Sequence, residues 1–150
     1  MSKLRQPNGD DHPEAAGKHL DDASTLDRSG RPDGASYLAG YVVECSLKAV
    51  ICLEAVGRGI APSKWWGGGG HDWRKLAAEL STASAVAGPR TARYVTPIVS
   101  SLSSAAIAAW TPGMRYRAPS MTGPDAAKWL SEARLVYQAT VGQMLLDGVL

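Results

Sequence analysis

Three groups of residues in this chain have types and spacings that could do chemistry. Arg115, Tyr116 and Arg117 are consecutive, and such a stretch combines cations that grip phosphate with a ring that stacks on a base. The competing reading is an ordinary surface loop in which one arginine pairs with an acid such as Glu44. Glu44 and Lys48 are four residues apart with the acid nearer the N-terminus, the favourable order for a helical ion pair. They sit in an apolar stretch, so the pair lies at an edge, is satisfied by other elements, or belongs to a site. A structural pair that fixes helix packing is the plainer of these. His71 follows four glycines, where its imidazole either meets solvent and handles a proton or packs at a helix start. His71 and Arg115 are the candidate catalytic residues. Arg115, Tyr116, Arg117, Glu44, Lys48 and His71 form the candidate ligand-binding set.

The other reactive residue types point to packing. Cys45 and Cys52 are seven residues apart; on a helix this is about 10 Å, beyond disulfide reach, so both read as reduced core residues. No further Cys or His arrives at ligand spacing, so neither a metal nor a cofactor is expected. The run Gly67 to Gly70 has no Gly-Lys-Ser/Thr after it and no strand before it, so it reads as a flexible connector and not a phosphate loop. Arg90, Arg93 and Tyr94 repeat the arginine and tyrosine pairing. His19 is expected as a satisfied core residue, and His12 as a solvated one.

Helical spacing must position these residues. Ala16, His19, Leu20, Ala23 and Leu26 mark a first helix over about 13–28, with Pro13 in its opening turn. A second helix, capped by Asp33, is expected to Val56; it is apolar almost all round, which places it at the centre of a bundle. Gly57 sits where a helix prefers to end, and Gly40 implies close approach by another backbone, within the bundle or across a dimer. A third helix is expected over 72–85. A fourth follows from the stripe Val95, Ile98, Val99, Leu102, Ala105, Ala106 and Ala109 up to Trp110, with Pro97 starting or kinking it. A fifth begins near Pro124 and carries Trp129, Leu130, Ala133, Tyr137, Val141 and Met144. The fold class is thus all-α, an antiparallel bundle of four to five helices.

The totals agree. A chain of 150 residues, 45% hydrophobic and 20% charged, reads as one globular domain over 13–150 behind a loose polar leader, 1–12. No apolar run approaches the roughly 20 residues that span a bilayer, and the polar start lacks an apolar signal region, so a soluble, cytoplasmic protein without membrane association is expected. The net charge of +2 permits an acidic partner without demanding one.

The stretch Ala35-Ser-Tyr-Leu-Ala-Gly-Tyr-Val-Val-Glu-Cys-Ser-Leu-Lys-Ala-Val50 resembles the signature helix of small prokaryotic HEPN proteins. Gly70-His-Asp-Trp-Arg-Lys-Leu76 resembles that family's His-Asp-Leu-x-x-Leu segment, and Arg115-Tyr116 resembles its Arg-Tyr pair before the final helix. The resemblance implies a helical bundle, usually a homodimer, that binds nucleotides or acts on RNA. It also implies a toxin-antitoxin or defence setting, often with a nucleotidyltransferase antitoxin as partner. Nuclease members use an Arg-x4-6-His motif whose histidine and arginine assist attack of the ribose 2′-hydroxyl on phosphate without metal. Here positions 120 to 122 are Ser120, Met121 and Thr122, and the only formal match, Arg5 to His12, falls in the leader. The expected function is therefore an HEPN-like nucleic-acid or nucleotide-binding protein that lacks the nuclease motif. Two alternatives stand beside it. One is a metal-independent ribonuclease acting as a dimer, if His71 comes close to Arg115. The other is a non-catalytic dimerisation or partner-binding module presenting Trp65, Trp66 and Trp73.

Overall fold

The computed structural model describes residues 1–62, 64, 71–86, 89–95 and 102–150. Helix α1 (His12–Arg28) opens at Asp11, whose carboxylate accepts from the Glu14 backbone N–H at 3.3 Å, satisfying one orphan donor of the first turn. Helix α2 (Pro32–Arg58) starts with Pro32, whose missing N–H is no loss in a first turn. It ends at Gly59, in the left-handed region at φ 65°. The stop is therefore Gly59 and not Gly57: only the former adopts the backbone that glycine alone enters without strain. Asp33 does not serve as a cap of its own helix. Its Oδ1 accepts from the backbone N–H groups of Ser120 at 2.8 Å and Met121 at 3.0 Å, tying the late loop to the start of α2.

Every residue from Val42 to Ala55 is buried, as an apolar helix surrounded by others must be. Helix α2 packs against α1, α3 (Trp73–Val86) and α5 (Gly123–Tyr137), and α1 also packs against α5. The α3 start is held by Asp72 Oδ1, which accepts from Arg74 N at 3.1 Å and Lys75 N at 3.3 Å. A single turn, α4 (Pro89–Ala92), is pinned to α2 by the Thr91 hydroxyl donating to the buried Glu54 carboxylate. The last helix runs through a π-helical turn, Gln138–Gly142, into α6 (Gln143–Leu146), so Val141 and Met144 stay buried with Trp129, Leu130 and Ala133. The described residues are all-helical with no strand, and no helix among them is long and apolar enough to cross a membrane.

Four expectations need correction. The fourth helix is not one over its described part: residues Leu102–Ser104 and Ala106–Ala109 form 3₁₀ turns separated by Ala105 in extended backbone. The Glu132 carboxylate on α5 accepts from Ala106 N at 3.0 Å and Ile107 N at 2.8 Å, removing the donors a continuous helix would use. The leader is not loose: Leu4 joins the hydrophobic core, 6% exposed, and Asp11 accepts from the Ser2 backbone and hydroxyl. His12 is correspondingly half-buried at the start of α1. Trp73 is 2% exposed, so it is core and not part of a partner surface. Trp65, Trp66, Gly67 to Gly70, Pro97, Ile98 and Val99 lie outside the described residues, as does the side chain of Arg90.

Candidate functional site

One face of α2 carries a polar stripe through an otherwise apolar helix: Asp33, Tyr37, Tyr41, Glu44 and Lys48, at intervals of four, four, three and four residues. This spacing keeps the five on one side. Loops from elsewhere in the chain close over them. Trp110, 1% exposed, lays its indole across Gly40 and donates from Nε1 to the Tyr37 carbonyl at 2.9 Å. A Cβ at Gly40 would stand 2.1 Å from that ring, so the close approach that glycine permits is by a side chain and not by another backbone.

At the inner end, Lys48 Nζ donates to Glu44 Oε1 at 2.8 Å, and His71 Nδ1 lies 3.1 and 3.2 Å from the two Glu44 oxygens. Glu44 is 2% and Lys48 7% exposed. A carboxylate in this role accepts, so Nδ1 is the donor; the His71 side chain is 65% exposed. His71 lines a recess of about 160 Å³ with Trp110, Thr111 and Pro112.

At the outer end, Arg115 and Tyr116 belong to a 3₁₀ turn, Pro112–Tyr116, which Arg117 terminates. The Arg115 guanidinium lies 4.8 Å over the Tyr116 ring, and Tyr116 is 80% exposed. Arg115 is held above the usual arginine range first by Tyr116 and further by hydrogen bonding to Tyr37. Arg115 and Arg117 line one cavity of about 450 Å³ with Asp33, Tyr37, Met121 and Trp129. Neither arginine meets a carboxylate within 4.0 Å among the described residues, so the expected pairing of one of them with an acid such as Glu44 is not made, while all three residues of the stretch are exposed as a surface loop would have them.

Two tyrosines bridge these ends. The Tyr37 and Tyr41 hydroxyls are 3.0 Å apart, and the Tyr41 ring packs edge-on against His71 at 6.2 Å and Trp110 at 5.1 Å. Burial first, then the bond to Tyr37, raises the Tyr41 hydroxyl well above its ordinary range, and the nearby Glu44 charge adds to this. The structure thus brings Glu44, Lys48 and His71 together, and separately Arg115, Tyr116 and Arg117. Glu44 and Lys48 do not line the arginine cavity, and His71 and Arg115 line different ones. Reading α2 as apolar almost all round passes over Tyr37 and Tyr41; their register with Asp33, Glu44 and Lys48 is the signal in the sequence that marks them.

His19 and the two cysteines belong to the packing. His19 packs on Tyr41 at 5.6 Å, and its Nδ1 has no hydrogen-bond partner among the described residues, so it is packed but not satisfied. Burial pushes both thiols up to about 12, Cys45 with help from Glu44, which makes them inert. Among the described residues no cluster of three His, Cys, Asp or Glu could hold a metal ion. Compared with family models, curated proteins and solved structures, the chain matches none.

Proposed function

We propose that this chain is an HEPN-like protein that binds a nucleotide or nucleic acid through Arg115, Tyr116 and Arg117. The observation that carries the reading is the pair of arginines without carboxylate partners on one cavity of about 450 Å³. Cavities of roughly 300–1,000 Å³ suit small ligands. A guanidinium left without an anionic partner is matched by phosphate, and the exposed Tyr116 ring beside it offers a stacking face. The small basic excess of the chain favours the same anionic occupant without deciding it. The resemblance of the α2 segment to the HEPN signature helix supports the assignment of class, and with it a homodimer working in a toxin-antitoxin or defence system, opposite a nucleotidyltransferase antitoxin. Filter-binding titration with RNA and nucleotides tests it. Arg115→Ala with Arg117→Ala is expected to lose binding at least tenfold; unchanged binding would remove the site.

A second reading, metal-independent ribonuclease, draws on His71. Its Nδ1 is held by a buried carboxylate and its ring is exposed, an orientation that turns Nε2 outward as a general acid or base requires. Against it, Arg115 faces a different cavity. Cleavage in the presence of chelator with a cyclic phosphate product, lost in His71→Ala, would establish this reading; intact RNA would dismiss it.

A further inference from the structure

The arginine cavity also has an acidic member. Asp33 lines the same space as Arg115 and Arg117. Its Oδ1 is fixed by the backbone N–H groups of Ser120 and Met121 at 2.8 and 3.0 Å, which hold the carboxyl below its ordinary range. It makes no ion pair within 4.0 Å with either arginine. Tyr37, Met114, Met121 and Trp129 line the same cavity and offer mostly apolar surface to an occupant. An occupant that satisfies all three carries an anion for the arginines, an apolar or planar body, and hydrogen-bond donors for Asp33. It must offer donors only, because an ionised carboxylate can only accept.

The bases differ in what they show to such a group. Guanine presents two adjacent donors, N1–H and the N2 amino group. Adenine and cytosine place a ring-nitrogen lone pair beside their amino group, which would face a carboxylate oxygen. Uracil has one N–H flanked by two carbonyls. We infer that the cavity between the start of α2 and the loop Met114 to Met121 takes a guanine nucleotide, phosphate on Arg115 and Arg117 and base edge on Asp33. This rests on the phosphate-binding reading above and adds the base. The guanine unit comes either as a free nucleotide or within single-stranded RNA, and the two sources present the same edge and phosphate.

Calorimetric titration of the full chain with GMP, AMP, CMP and UMP tests the inference. Parallel titrations use an oligouridine carrying one guanosine and the same strand with adenosine there. GMP, or the guanosine strand over its adenosine counterpart, is expected to bind several-fold tighter, its two adjacent donors converging on the Oδ2 that Ser120 and Met121 leave free. Preference among mononucleotides identifies the free nucleotide as a ligand; preference confined to the strands identifies RNA. Asp33→Asn keeps an acceptor for Ser120 and Met121 but adds an amide donor, and it is expected to bring the guanine preference to near one while AMP affinity holds. Equal binding of all four bases in both formats overturns the inference and leaves the phosphate site standing. So does an equal loss for all bases in Asp33→Asn, which would assign Asp33 to the sugar. No binding of any nucleotide or strand overturns both readings. Should Asp33→Asn fail to fold, the preference of the unaltered chain still decides.

Discussion

At the inner end of the α2 stripe, Glu44 is 2% exposed and meets Lys48 at 2.8 Å and His71 at 3.1 Å; at the outer end, Arg115 and Arg117 are exposed and meet no carboxylate within 4.0 Å among the described residues. Both ends belong to one face of one helix and its covering loops. A charge removed from water needs a partner where it sits, so the inner group is satisfied as part of packing. The outer charges remain hydrated and face no such demand. Their arrangement around a cavity is therefore the better marker of ligand binding, and the buried pair, more conspicuous in the sequence, is the better marker of structure.

The comparison can be broken most forcefully at the inner end. Glu44→Ala removes the buried carboxylate that Lys48 and His71 share and is expected to cost about 3 kcal/mol in urea unfolding. Replacing both residues together, Glu44→Leu with Lys48→Met, is expected to restore most of that loss. If the single substitution costs under 1 kcal/mol, the inner group is no packing device. Between the ends, Gly40→Ala drives a methyl into the Trp110 indole. The ring is buried and tethered to the Tyr37 carbonyl, so it cannot turn aside freely, and a loss of about 3 kcal/mol is expected. An unchanged melting temperature would show that Trp110 can vacate this place.

The pH dependence sharpens the contrast between buried and open groups. Burial depresses both His12 and His19 below the ordinary 6.5. The unfolded chain then binds more protons than the folded one below that pH. Stability is full above about 6.5 and falls as pH drops through the depressed values. The melting temperature should decline in this window, and His12→Gln with His19→Gln should flatten the decline. A curve unaltered by the double substitution would assign the effect elsewhere. Cys45 and Cys52 provide the smallest test: with both thiols up at about 12, alkylation at pH 8 should be absent in the folded chain and rapid in urea.

Much of this scaffold could be read from residue spacing. The central helix was expected from Asp33 to Val56 and runs from Pro32 to Arg58, because an all-round apolar period leaves little choice of structure. The fourth helix failed for a tertiary reason: its stripe is helical in period, but Glu132, far along the chain, claims the N–H groups of Ala106 and Ile107. No local pattern reports that. Asp33 misled similarly, since it has the residue type and position of a cap and uses both for the loop at Ser120. Within the candidate site, Glu44, Lys48 and His71 were each legible as types, and their mutual contact followed from the helical interval only for the first two. The division of the set into two groups was not legible, because it depends on where Trp110 and two loops settle over Gly40.

The proposed division of labour gives ligand binding to the outer arginines and the holding of the fold to the inner charges. Thermal melting of the unaltered chain and of Arg115→Ala, Arg117→Ala, each with and without guanine nucleotide, tests it directly. Without ligand the two should melt within about 2 °C of each other, as exposed substitutions contribute little. At a ligand concentration near 100 times Kd the unaltered chain should gain about 2.7 kcal/mol and melt higher, while the double variant should not respond. Equal shifts in both proteins, or a double variant that melts far lower without ligand, would contradict the account.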